Sequence, residues 1–328
     1  MPHEGNKTHA KAEDKPQYTP VALPERVDYT LHEPNALLLD MVSCKLDKGA
    51  WSPEEEVLKA DTAIRRKLGY DVWGNDCCQP WCMEESVSAH KVSMRFTFTS
   101  QITVVGALLG AELPADARIL LDESPVANSP IGYYVDRSIK TISLPSFGPG
   151  RHTLEITMPY GPRSALERCY VLGDFGVYQA GRYCTITFLP ASLAFGDITK
   201  QLLPFYSGRL TYHLPVKAKV GKVRLRVPQY RAAAVLAQLD NSETKQLSLA
   251  PYTAEFDNVK NGHRLLYVDL YINRTNGFGP IHLCDRNVPY VSPKWWRSSG
   301  DAWSYEYFLQ EEGLITTPVV EVLPGKED

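Results

Sequence analysis

The sequence predicts an all-β protein, two tandem jelly-roll β-sandwiches with one N-terminal helix, on three observations. First, short strand-like runs follow one another at roughly ten-residue spacing, with turn chemistry between them rather than helices. Arg118 to Leu121, Gly132 to Asp136, Lys140 to Leu144 and His152 to Met158 are such runs, separated by DESP, NSP and SFGPG. Second, two phrases repeat one plan. GPGRHTLEITM (Gly148 to Met158) and VKNGHRLLYVDLY (Val259 to Tyr271) each read as a Gly-containing turn, a basic pair and apolar alternation. Third, the series of alternating strands and helices that a TIM barrel needs is absent.

Between the two phrases lies a hinge, AFGDITKQLLPFYSGRLTYH (Ala194 to His213), punctuated by Gly196-Asp197 and Pro204 and ending as a strand. The expected organisation is a disordered tail over 1–26, a connecting strand and helix over 27–90, a first sandwich over 91–190 and a second over 191–328. The tail is polar and lacks the apolar core of a signal peptide, which favours a cytoplasmic chain, and it also fits a chain continuing from an upstream segment.

Ala36 to Val42 reads as a strand interrupted by Asp40. Ser52, Pro53 and Glu55 form a capping box before Val57, Ala60, Ile64 and Leu68 at helical spacing. Arg65, Arg66 and Lys67 read as a solvated last turn and Gly69 as the stop. Met94, Phe96 and Phe98 alternate with Arg95, Thr97 and Thr99, the mark of a strand with one buried face. Ser164 to Gly181 reads as a buried strand pair. In the second half Lys222 to Val227, Ala232 to Leu239, Gln246 to Ala250, Ala254 to Asp257 and Arg264 to Ile272 are expected strands, and Ile315 to Leu323 a closing one.

A net charge of −3 argues against a nucleic-acid or anionic-membrane partner. No apolar run approaches the ~20 residues of a membrane helix. The seven cysteines are odd in number, and Cys77, Cys78 and Cys82 have no matching second pair, so free thiols are expected. The eight histidines are scattered, so no metal is expected from them. No nucleophile elbow, phosphate loop or dinucleotide fingerprint is present.

Glycoside hydrolysis needs two carboxylates across the scissile bond. Glu167 and Asp174 flank one apolar strand and Glu306 lies between two tyrosines, but 38 acids select no pair. Sugar binding asks for aromatic faces and planar polar groups. Arg274, Asn276, His282, Trp295, Trp296 and Trp303 bring that mixture to the C-terminal third, with Tyr206 in the hinge. These side chains suit ligand contact; the tryptophans equally suit the covering of a sandwich end or the docking of a neighbouring domain.

LERCYVLGDFGV, LAFGDITKQLLPFYSGRLTYHLPV and NRTNGFGPIHL resemble the tandem galactose-binding-like sandwiches of family 2-like and rhamnosidase-like glycoside hydrolases. EPNALLLD and the helix followed by Gln79-Pro80-Trp81 resemble the connection after a catalytic barrel. The resemblance spans roughly Val27 to Leu323, through phrase order. It implies a carbohydrate ligand, a catalytic domain or partner chain upstream, no cofactor, and the option of a structural Ca²⁺ between loops. No catalytic residue carries over, because those acids belong to a barrel that is absent here. The family phrase has Gly after the hinge Gln, whereas Gln201 is followed by Leu202. A complete hydrolase with a carboxylate pair in a sandwich groove, and a purely structural interaction module, stay open as alternatives.

Overall fold

A computed structural model of the chain describes residues 17–72, 87–218, 221–285 and 298–324. With 47% of it in strands and 7% in helices, the protein is all-β. The strands form two sandwiches, each with its own apolar core.

In the first, a five-stranded sheet runs in the order Pro130–Tyr134, Asp136–Ser143, Leu108–Ala111, Cys169–Gly173, Asn35–Leu39. It faces an eight-stranded sheet centred on His90–Ser100 and Gly150–Tyr160. In the second, a six-stranded sheet runs Leu193–Ala194, Arg26–Leu31, Arg209–Ala218, Gly262–Tyr271, Ala234–Leu239, Lys245–Gln246. Its partner sheet runs Thr19–Val21, Val319–Pro324, Gly221–Arg226, Thr253–Val259.

The repeated phrases hold matching places. Gly150–Tyr160 pairs antiparallel with His90–Ser100, Gly150 opposite Ser100 and Tyr160 opposite His90. Gly262–Tyr271 pairs likewise with Arg209–Ala218, Gly262 opposite Ala218 and Tyr271 opposite Arg209. Gly150 and Gly262 open these strands with φ of 142° and 131°, backbone that glycine alone adopts freely. Val92, Met94, Phe96 and Phe98 line one core, and Leu210, Tyr212, Leu214 and Val216 the other. Each fully buried aliphatic or aromatic side chain contributes about 1.5–3 kcal/mol. A one-residue slip would turn the whole row to solvent, so the alternation fixes the register.

Three local expectations are corrected. The helix is Val57–Leu68, not a helix from Pro53. Glu56 caps it, its Oε2 accepting from the N–H groups of Leu58 and Lys59 at 3.0 and 3.2 Å. Ser52 instead accepts from the Cys44 N–H at 3.0 Å, and Glu55–Glu56 still pairs with Met41 and Val42, so the chain is extended where the capping box placed a helix. Second, Arg65 is not a solvated helix end. It is fully buried, ion-paired to Asp61 at 3.0 Å, and it donates to the carbonyls of Asp71, Pro162 and Ser164. Gly69 does end the helix, at φ 71°. Third, Cys169–Gly173 and Gly176–Ala180 do not pair with each other. The first lies between Asn35–Leu39 and Leu108–Ala111, and the second pairs with Tyr183–Thr187 in the opposite sheet.

At the hinge, Asp197 caps a short 3-10 turn through the Thr199 N–H, and Leu202 takes φ 67°. Left-handed backbone costs a side-chain-bearing residue about 1–2 kcal/mol. Beyond Tyr271 the chain folds back over the first sandwich, where Phe278, Ile281, Tyr307 and Leu309 join the first core before Leu314 returns to the second.

Candidate functional site

The returning segment builds a polar seam against the first sandwich. Asp40 stands where the chain passes from Asn35–Leu39 in one sheet to Met41–Leu46 in the other. Its backbone carbonyl accepts the Val57 N–H at 2.8 Å, anchoring the helix start. Its side chain is 1% exposed. Tyr307 donates its hydroxyl to Oδ1 at 2.5 Å, and His282 Nε2 lies 3.0 Å from Oδ2. His282 Nδ1 donates to the Ser304 carbonyl at 2.8 Å. Both ring nitrogens therefore face oxygen atoms. Burial pushes the Asp40 carboxyl up. The hydrogen bond and charge of His282, the charge of Arg168 and the Tyr307 hydroxyl outweigh it, so Asp40 titrates below its usual range.

Glu56 shares this seam. Its Oε2 caps the helix, while its buried Oε1 has no hydrogen-bond partner among the described residues. Burial pushes Glu56 up to about 7; Arg168 opposes the shift and Asp40 adds to it. Asp40 and Glu56 are thus pushed in opposite directions, the arrangement that separates a general acid from an ionised carboxylate in hydrolases. The space beside Glu56 is small. Glu56, Arg168, His282 and Trp303 line a recess of about 10 Å³, about the room of a single water. No pyranose enters it.

Among the other predicted residues, Asn276 is buried and binds the Gln310 backbone at both ends of its amide, each bond 2.8 Å. Tyr206 is buried and donates to the Arg209 carbonyl at 2.7 Å, with Glu33 Oε2 at 3.2 Å. Trp303 is half-buried, packs edge-on against Tyr305 at 4.6 Å and carries the Lys59 ammonium 4.3 Å from its ring centre. Arg274 is exposed. The structure thus gathers His282 and Trp303 at one recess and leaves Asn276, Tyr206 and Arg274 away from it. Trp295 and Trp296 lie outside the described residues, as do Cys77, Cys78 and Cys82. Asp174 and Glu306 are exposed; Glu167 is exposed as a residue, yet the packing around its carboxyl pushes it up to about 7. Asp40, Glu56 and Arg168 were missed as a cluster. The one available signal was an acid interrupting the apolar run ALLLDMV.

Cys44 and Cys169 are buried free thiols, and Cys184 and Cys284 are half-buried ones. Among the described residues no three His, Cys, Asp or Glu side chains group as a metal site. No described helix is long and apolar enough to cross a membrane.

No family model and no curated protein matches the chain. Solved structures do. A β-D-mannosidase from Dictyoglomus thermophilum is similar at 12% identity and TM-score 0.28, over 73% of this chain and 31% of that one. A rhamnosidase from Novosphingobium sp. PP1Y is similar at 14% and 0.30, over 70% and 22%. A GH2 β-galacturonidase from Eisenbergiella tayi, bound to glycerol, is similar at 11% and 0.26, over 74% and 42%. The chain spans less than half the length of each, and none of these values assigns it a family.

Proposed function

We propose that this chain is the non-catalytic, two-sandwich region of a larger carbohydrate-active protein, binding sugar on its surface and serving as scaffold to a catalytic domain or partner chain. The sequence phrases shared with glycoside-hydrolase sandwiches support the carbohydrate context. One observation carries the non-catalytic part. Of the seam pair with the acid–base pattern of a hydrolase, Glu56 lines a recess with room for about one water, while Asp40 is buried and does not line it. Hydrolysis needs a sugar and, for inversion, a water between two carboxyls about 6.5–9.5 Å apart. Asp40 already spends both oxygens on His282 and Tyr307.

The runner-up is a complete hydrolase using Asp40 and Glu56, favoured by their opposed shifts alone. A glycan-array screen of the full chain, with calorimetry on each hit, tests the binding half. Saturable binding is expected. No binding to any glycan would overturn it and leave a structural interaction module.

A further inference from the structure

We propose that the outward face of the six-stranded sheet, centred on Asp269 between Tyr267 and Tyr271, binds a neutral oligosaccharide; this rests on the sugar-binding reading above and gives it a site.

Strand alternation decides which side chains stand on this face. Leu266, Val268 and Leu270 of Gly262–Tyr271 are buried in the second core, so Leu265, Tyr267, Asp269 and Tyr271 point outward. Tyr271 is 41% exposed and Leu265 40%. Register then places Arg209 opposite Tyr271, Thr211 opposite Asp269 and His213 opposite Tyr267, with Thr30 across from Thr211 on the next strand. Aromatic and planar polar side chains therefore alternate along and across the face.

The polar members are wired in one direction. Thr211 donates its hydroxyl to Asp269 Oδ1 at 2.5 Å. With that proton spent, the Thr211 oxygen can only accept from His32 Nε2 at 2.8 Å. The His32 proton then sits on Nε2, which leaves Nδ1 to accept from Arg209 Nη2 at 2.7 Å. The chain Arg209 to His32 to Thr211 to Asp269 runs donor to acceptor throughout. Asp269 Oδ2 is 3.7 Å from Arg209 Nη1, so both groups retain capacity for hydroxyls. Tyr267 is steadied edge-on by the His213 ring at 5.3 Å and 80°.

This chemistry selects the occupant. A sugar offers an apolar ring face for tyrosine and hydroxyls that both donate and accept, which a carboxylate beside a guanidinium satisfies. A protein partner favours a patch centre depleted of charge, yet Asp269 and Arg209 sit in the middle of this one. Nucleic acid asks for a surplus of positive charge, and the chain carries −3. Preordered side chains lower the ordering cost of binding. A flat face buries less of a ligand than a pocket, so modest affinity is expected.

Calorimetry of the full chain with the soluble glycan that scores highest on the array tests the site, using Tyr271→Ala, Asp269→Asn and, separately, Trp295→Ala and Trp296→Ala. We expect Tyr271→Ala and Asp269→Asn each to weaken binding about tenfold or more, with melting temperature unchanged, and the tryptophan variants to bind as the parent does. Wild-type affinity in both face variants would overturn the site. If binding is then lost in a tryptophan variant, the sugar-binding reading survives without this face. If the parent binds no glycan, both fall.

Discussion

The seam between the returning segment and the first sandwich and the outward face of the six-stranded sheet are made of the same side-chain types. Asp40, His282, Arg168 and Tyr307 meet in the seam; Asp269, His32, Arg209 and Tyr271 meet on the face. In the seam every Asp40 oxygen is engaged and the free space is about 10 Å³. On the face the chain of hydrogen bonds is complete, with Thr211 buried inside it and the Arg209 and Asp269 side chains at its ends still 37% and 22% exposed. A polar cluster enclosed between packed segments spends its hydrogen bonds on the fold; one at the ends of a strand face keeps donors and acceptors exposed. Residue type does not separate the two roles, and exposure does.

The largest effect that would break this contrast comes from Asp40→Ala. It leaves His282 and Tyr307 buried without their acceptor, and removing one partner of a buried charged pair costs about 3–5 kcal/mol. Urea unfolding should show that loss; a loss below about 1 kcal/mol would mean that Asp40 does not hold the seam.

Next comes Glu56→Gln, read as a function of pH. Burial holds the Glu56 carboxyl at about 7 against an ordinary 4.5. The folded state therefore favours the protonated form. Its contribution is full below pH ~4.5 and is lost as pH rises through ~7, amounting to roughly 3 kcal/mol. Asp40 acts in the opposite sense, its contribution present above its ordinary 3.8 and lost as pH falls below it. Between pH 5 and 7 the parent should lose stability, and Glu56→Gln should make that slope shallower by its own share. Glu312 and Glu167, each pushed up to about 7 by burial, supply the rest. An unchanged slope in the variant would place the titration elsewhere.

Much of the fold was legible because it rests on local signals. Met94, Phe96 and Phe98 declare a half-buried strand by alternation, Gly69 declares a helix end, and the two Gly-led phrases declare equivalent long strands. What was not legible is set by distant partners. Nothing local to Arg26–Leu31 says that it pairs with Arg209–Ala218, nor that the segment after Tyr271 returns to the first sandwich. Ser52 carries a sound capping signal that loses to the Cys44 N–H, a bond from a neighbouring strand. Asn276 and His282 have the polar groups a sugar wants, yet only the folded chain shows their hydrogen bonds spent on Gln310, Ser304 and Asp40. The outward face was hidden for the same reason. Its polar members come from three separate stretches, His32, Arg209 with Thr211, and Asp269, and meet only in the folded chain.

At Leu202 the left-handed backbone can be weighed against the side chain. Leu202→Gly relieves the left-handed backbone while Leu202→Ala does not, so thermal unfolding should rank the Gly variant above the Ala variant by about 1 kcal/mol. The reverse order would show that side-chain contacts, not backbone conformation, govern the position. The smallest effect expected is that of Tyr271→Ala on stability, within about 0.5 kcal/mol, since its ring lies 41% exposed outside the core.

The most direct test of the non-catalytic assignment is aglycone release from a panel of aryl glycosides by the full chain, beside its Glu56→Gln and Asp40→Asn variants. The account predicts no turnover above the uncatalysed rate in any of the three. Turnover by the parent that both substitutions abolish, with the folded state retained, would contradict it and make the seam an active site.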